Sequence, residues 1–155
     1  MRVFLVITLI GFLSLSALAG TTSHAIDDET LDVIVHEKSP VERLSGYEVE
    51  AVFTRTQTRW SDGSVVYPFS FPAGSGAREY FDRVALRLGP DEVGRFWMER
   101  KIRGLGSPPR QVPSAMLMVQ VIANLPGSIG YVPSGSEAPG VKVVARVLRG
   151  KVVSP

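Results

Sequence analysis

The stretch SVVYPFSFPAGSGAREYFDRVALRL, residues 64–88, changes its hydrophobic period partway along its length. Ser64 to Phe71 is rich in β-branched and aromatic residues and predicts a strand. From Gly74 onward the apolar residues follow a helical period, at Ala77, Tyr80, Phe81, Val84, Ala85 and Leu88. This spacing predicts a helix that Gly89 ends, with the charged residues Arg78 and Asp82 on the opposite, polar face.

The step from strand to helix is Gly74-Ser75-Gly76, followed by Ala77 and Arg78. A helix start leaves backbone N–H groups without partners, and together with the helix dipole these suit phosphate, sulfate or carboxylate. Ser75 would add a hydroxyl donor and Arg78 a positive charge. The same letters also fit a plain helix start capped by the Ser75 side chain. The residues alone leave both interpretations open, and Gly74 to Arg78 is the candidate anion site.

The elements on either side of this stretch alternate between strands and helices. Strands are predicted at 31–35, 128–132 and 141–148, with a short extended piece at 110–112. Helices are predicted after the Ser45 capping box, after Pro90 and over 114–125. Alternation of this kind predicts an α/β domain whose mixed sheet, of about five strands, is covered by helices on both faces.

The first residues have the pattern of a secretory signal peptide. Arg2 is the only charge among them, the run from Val3 to Leu18 is almost wholly apolar, and small residues permit cleavage after Ala19 or after Ala25. The run is too short for a bilayer-spanning helix. We therefore predict a leader over 1–25, a single domain over 26–155, no stable membrane span after cleavage, and a periplasmic or secreted location.

The composition argues against several classes of function. There is no cysteine, and His36 is the only histidine beyond the predicted leader, so neither a Cys-His pair nor a multi-histidine metal site can form. A Gly-x-Ser-x-Gly nucleophile motif is absent. Residues 26–155 carry sixteen Lys and Arg against fifteen Asp and Glu, a net charge of +1, which does not favour a nucleic-acid partner. We therefore expect no enzymatic activity, no catalytic or metal-binding residues and no cofactor.

Three stretches together resemble the solute-binding proteins of phosphate ABC transporters, which have the type 2 periplasmic-binding fold. They are Arg59-Trp60-Ser61-Asp62-Gly63, the Gly74-Ser75-Gly76 helix start, and Leu125 to Val132, LPGSIGYV. The last is the most specific, being similar to a Thr-Pro-Gly-Ala-Ile-Gly-Tyr-Val segment near the end of the family's second lobe. The resemblance spans roughly 31–132 and implies one lobe of this fold, a bacterial extracytoplasmic protein and a phosphate ligand.

This sequence departs from the family's pattern in its side chains and its length. The family places an arginine and an aspartate where Phe71 and Ala73 stand here, and a threonine at Ala77. Ser75 and the backbone of Gly76 and Ala77 are what the resemblance carries over. The family grips its ligand between two lobes, whereas this chain has enough residues for only one.

Two functions follow from the sequence. The first is a single-lobe relative that binds phosphate or another small anion weakly, or shares it with a partner, in transport or sensing. The second is an interaction module of the cell envelope that keeps the lobe but has lost the ligand, docking on an envelope protein or on a second copy of itself. The retained Gly-Ser-Gly step favours the first, and the missing arginine and aspartate favour the second.

Overall fold

The fold is built on a mixed sheet of six strands in the order β3-β2-β4-β1-β5-β6. We describe it from a computed structural model over residues 30–155, so the predicted leader and its two cleavage sites lie outside the described residues. The strands are β1 Leu31–His36, β2 Tyr67–Ser70, β3 Arg110–Gln111, β4 Ser128–Pro133, β5 Val141–Leu148 and β6 Lys151–Val153. The helices are α1 Gly46–Phe53, α2 Gly76–Phe81, α3 Pro90–Ile102 and α4 Ala115–Asn124. The predicted α/β class with a mixed sheet is confirmed.

Helices cover both faces of the sheet, as two consecutive residues of β4 demonstrate. Successive side chains of a strand point to opposite faces. On one face, Gly130 leaves room for Met118 of α4, since a Cβ atom there would lie 2.6 Å from the Met118 sulfur. On the other face, the Tyr131 ring stacks on Phe81 of α2, with ring centroids 3.8 Å apart, and meets Phe53 of α1 edge-on.

The strand β2 contains Pro68 and is nevertheless paired on both sides. β2 is an inner strand between β3 and β4, although a proline disfavours such a place. The register resolves the conflict: Pro68 pairs with Ile129 of β4, while pairing with β3 begins only at Phe69. The missing N–H of Pro68 therefore removes no hydrogen bond to β3.

The helix predicted over 74–88 is divided. An α-helical part ends at Phe81, and a π-helical turn, Asp82–Leu86, continues it. Arg87 then adopts a left-handed conformation, with φ of 57°, and ends the helix before Gly89. The sequence also missed β6, whose three residues are too few to show a strand pattern and are held by antiparallel pairing to β5.

Candidate functional site

The predicted anion site lies at the carboxyl edge of the parallel strands. β2 is parallel to both β3 and β4, so their carboxyl ends meet at one edge. α2 begins just after β2 at this edge, and α4 begins just after β3. In open α/β sheets the crevice beyond the carboxyl ends is where ligands bind. The fold thus brings Gly74 to Arg78 to the edge where a ligand is expected.

The Ser75 side chain neither caps α2 nor is free to bind an anion. Ser75 occupies the N-cap position with φ −81° and ψ 141°, but its side chain makes no capping hydrogen bond. Its hydroxyl instead donates to the Pro72 carbonyl oxygen at 2.9 Å. Gly74, at φ +82°, makes the preceding turn in a conformation that favours glycine. The prediction of a side-chain cap is therefore wrong, and the hydroxyl proton is already engaged.

The backbone donors at this helix start are unoccupied. Within the described part of the chain, the N–H groups of Gly76, Ala77 and Arg78 donate to no acceptor, whereas the Glu79 N–H donates to the Ser75 carbonyl at 3.0 Å. Gly76 is exposed and Ala77 is half-buried. A Cβ atom built on Gly76 would meet nothing within 4 Å. An anion therefore has open access to at least the first of these donors.

The Arg78 side chain points into the protein rather than toward a ligand. Its Nε donates to Asp82 Oδ2 at 2.5 Å, and its Nη1 donates to Ser70 Oγ at 2.7 Å and to the Phe71 carbonyl at 3.2 Å. The side chains of Arg78 and Asp82 are each only 8% exposed. The prediction that both occupy a solvated polar face is wrong, because each neutralises the other and the arginine also ties α2 to the end of β2.

A small cleft of about 100 Å³ adjoins the helix start. Gly74 and Arg78 line it together with two acidic residues, Glu79 and Asp82. Burial raises the pKa of the Asp82 carboxyl above its ordinary value, and the Arg78 guanidinium opposes that rise. A cleft with two carboxyl groups and a single, internally paired arginine does not favour an anion, so the cleft itself is not the site.

Sequence reasoning missed the roles that Asp82 and Tyr131 have at this edge. The i,i+4 spacing of Arg78 and Asp82 was a readable signal, since residues at this spacing face each other on a helix. Tyr131 belongs to the LPGSIGYV motif and fills the core beneath α2, in contact with Phe71 and Phe81. Its hydroxyl is buried without a hydrogen-bond partner, and burial raises its pKa.

The remaining predicted features concern metal ions, membranes and histidine. Across residues 30–155, no group of three or more His, Asp or Glu side chains is arranged to hold a metal ion. No helix of that part of the chain has both the length and the apolar character needed to cross a bilayer. His36 is buried, and its Nδ1 accepts a hydrogen bond from the Lys38 N–H at 3.0 Å, which is a structural role.

The solved structures similar to this fold include several phosphate-binding proteins. An ABC-type phosphate transport receptor from Vibrio cholerae superposes with a TM-score of 0.61 at 16% identity, covering 77% of this chain and 46% of its own. A Clostridium perfringens protein assigned as a phosphate ABC transporter substrate-binding protein, solved with bound phosphate, gives 0.62 at 18% identity, with coverages of 77% and 45%. PstS from Borrelia burgdorferi gives 0.57 at 12% identity, with coverages of 75% and 46%.

These similarities confirm the fold that the resemblance implied. At such low identity they establish the fold alone, and this chain spans less than half the length of each of these structures. No family model matches the sequence, and no curated protein matches it either. The chain therefore has the architecture of one part of a phosphate-binding protein, and its activity has to be argued from its own residues.

Proposed function

We propose that this protein is an extracytoplasmic, single-lobe relative of solute-binding proteins that binds phosphate or another small anion weakly, in transport or sensing. The observation that carries the proposal is the set of unpartnered N–H groups at Gly76, Ala77 and Arg78, at the carboxyl edge of a sheet shared with phosphate-binding proteins. An anion is the ligand that a helix start of this kind favours.

The side chains set an upper limit on affinity. The Arg78 guanidinium and the Ser75 hydroxyl are both engaged within the protein, so the backbone supplies the contacts. Each such hydrogen bond contributes about 0.5–1.5 kcal/mol when the ligand stays open to water. Three of them reach at most about 4.5 kcal/mol before the cost of immobilising the ligand is subtracted, so the dissociation constant is about 1 mM at best. Tighter binding requires a partner that covers the site.

Titration of the purified protein with phosphate, sulfate and acetate, followed by isothermal calorimetry and NMR, tests this proposal. We expect saturable binding of phosphate in the millimolar range. Because the Ser75 hydroxyl donates to Pro72, Ser75→Ala is expected to change the affinity by no more than about twofold, the value of a weak, indirect contact. Absence of saturable binding up to tens of millimolar would refute anion binding.

The second candidate is the interaction module of the cell envelope. Two observations favour it: Arg78 is withdrawn from the surface, and the first turn of α4 exposes Met116 and Leu117, with 73% and 42% of their surfaces accessible. This turn lies at the same edge of the sheet as the start of α2. Cross-linking in cells, with Met116→Ser as the comparison, tests it: a partner or a second copy captured by the parent and lost in the variant supports docking.

The predicted leader has its own test. Cell fractionation followed by intact-mass measurement should recover the protein outside the cytoplasm, shortened by cleavage after Ala19 or after Ala25. Recovery of the unprocessed chain from the cytoplasm would contradict both the leader and the proposed location.

A further inference from the structure

A surface of α3 combines exposed apolar side chains with unpaired positive charges. Met98 and Ile102 are 64% and 79% exposed, and Leu105, just after the helix, is 51% exposed. The spacing of four residues places Met98 and Ile102 on one face of α3, and Leu105 follows in the turn that ends the helix. The opposite face holds α3 to the protein, because Trp97 is buried and Phe96 packs against it edge-on. We call Met98, Ile102 and Leu105 the α3 stripe.

Leu105 is held in place although it lies beyond the helix. Its N–H donates to the Arg100 carbonyl at 2.9 Å, and its own carbonyl accepts from Arg100 Nη2 at 3.0 Å. The Arg100 guanidinium also lies over the Phe96 ring, 5.5 Å from its centroid. The stripe is therefore a fixed feature of the surface, because the backbone that carries Leu105 is bonded at both polar atoms.

Positive charge flanks the stripe. Arg95, Lys101 and Arg103 are exposed, and none of them forms a salt bridge within residues 30–155. In helical projection Arg95 and Lys101 lie on either side of Met98 and Ile102. The only acidic residue from 94 to 105 is Glu99. The stripe is thus an apolar strip bordered by cations that form no salt bridge within residues 30–155, and the acidic residues of α3 are Asp91 and Glu92 in its first turn and Glu99.

We propose that the α3 stripe binds an anionic phospholipid surface. Charge complementarity argues for an anionic occupant, and the apolar centre argues for one with a hydrocarbon layer beneath its charges. Lys and Arg on the borders can keep their charges among lipid headgroups while their aliphatic stems lie along the apolar boundary. The stripe contains neither Trp nor Tyr, the aromatic residues that are enriched among the anchors of protein interfaces.

This inference is independent of anion binding at α2, so the two can fail separately. It describes attachment at the headgroup level by one face of a helix that stays folded on the protein. Each basic residue near an anionic surface contributes about fivefold to binding, so attachment by Arg95, Lys101 and Arg103 is reversible and sensitive to salt.

Vesicle flotation tests the proposal. The protein processed by cells is mixed with vesicles of phosphatidylcholine, alone or with one part in three of phosphatidylglycerol. We expect flotation only with the anionic vesicles. Lys101→Gln should weaken binding about fivefold. The double variant Met98→Ser with Ile102→Ser should weaken it at least about tenfold, because several methylene groups leave the apolar layer.

Val153→Ser is the matched control, since Val153 is an exposed aliphatic residue on the edge strand β6 and belongs neither to α3 nor to either candidate surface. It should float like the parent. Circular dichroism melting of each variant confirms that all of them are folded. Absence of flotation with anionic vesicles would overturn the proposal. So would binding that the charge variant weakens but the double stripe variant leaves unchanged, because that result describes a surface attracted to any polyanion.

Discussion

Arg78 and Asp82 form an ion pair inside the protein, with Arg78 Nε 2.5 Å from Asp82 Oδ2, four residues apart on the helix that opens the candidate site. Arg78 also donates to Ser70 and Phe71 at the end of β2. The arginine that the sequence offers as an anion ligand therefore fixes the position of the helix start instead. The groups that remain at this edge of the sheet to bind an anion are backbone N–H groups.

Removal of one partner of this pair should destabilise the fold. Arg78→Met leaves Asp82 buried without its cation, and we expect a loss of about 3–5 kcal/mol in the free energy of unfolding. Replacing both, Arg78→Met with Asp82→Leu, should recover most of the loss. Urea unfolding measures both values. A loss below about 1 kcal/mol for the single variant would contradict a buried, functioning pair.

The same variant has a predicted pH dependence. Burial already raises the pKa of Asp82, and loss of Arg78 removes the group that opposes the rise. A carboxyl whose folded-state pKa is raised contributes stability below its ordinary pKa and loses that contribution as the pH rises through the folded value. The cost of Arg78→Met should therefore be larger at neutral pH than in acid. A cost that grows toward acid would contradict this sign.

A second buried carboxyl, Asp32 on β1, interacts with the loop after β4. Arg146 Nε donates to Asp32 Oδ1 at 2.8 Å. Burial raises the pKa of Asp32 above its ordinary value, and a hydrogen bond with Glu137 raises it further, while Arg146 acts in the opposite direction. That hydrogen bond lowers the pKa of Glu137. We therefore expect the two carboxyl groups to share a proton in acid.

Glu137→Gln should lower the pKa of Asp32 toward its ordinary value, because the shared proton is lost. The carboxyl-carbon chemical shift of Asp32, followed by NMR against pH, measures this directly. Glu42→Gln is the control, since Glu42 pairs with Lys142 and is mostly exposed. An Asp32 that titrates at its ordinary pKa in the parent, or one that the substitution leaves unchanged, would count against the shared proton.

Gly127, in the LPGSIGYV segment, occupies a position where a larger residue would be strained and would collide with a neighbour. Gly127 has φ +84°, and a Cβ atom there would collide with the Val65 carbonyl oxygen. Its own carbonyl accepts hydrogen bonds from Trp60 Nε1 at 3.1 Å and from the Tyr67 N–H at 3.0 Å. This glycine thus joins β4 to the segment before β2, which explains the close approach.

Gly135→Ala is the matched control for Gly127→Ala, since Gly135 has the same φ of +84° with nothing near its Cβ position. The control should lose about 1–2 kcal/mol, the cost of a left-handed conformation. Gly127→Ala should lose at least about 1 kcal/mol more, because the collision adds to it. Equal losses by thermal unfolding would show that the predicted collision is relieved without cost.

How far the sequence predicted the fold depends on the length of each pattern. The β-branched runs of β1, β4 and β5 are long enough to be read, and the structure confirms them, while the helical period of 77–88 is confirmed only as far as Leu86 and includes a π-helical turn. β6 has three residues, and the left-handed turn at Arg87 follows from packing, so neither carries a pattern. The structure places Gly74 to Arg78 at the carboxyl edge of the sheet, but the direction of the Arg78 side chain could not be predicted, because it depends on Ser70 and Asp82.

The substitution Gly76→Pro removes one backbone N–H donor with little other change to the structure. Proline is tolerated at the first position of a helix, where its missing N–H would have no partner within the helix. The preceding residue, Ser75, already has the extended conformation that proline requires of its neighbour. Gly76→Ala retains the N–H and places its Cβ in open space, so it is the matched control.

The most direct test follows the amide resonances of Gly76 and Ala77 in a ¹⁵N–¹H NMR titration with phosphate. We predict that both move downfield and saturate in the millimolar range, that Gly76→Ala binds like the parent, and that Gly76→Pro binds about threefold to tenfold more weakly, the worth of one hydrogen bond. Two results would contradict a backbone anion site. One is that the amide resonances of 76 and 77 stay in place while those of Arg95, Lys101 and Arg103 move. The other is equal affinity in Gly76→Pro.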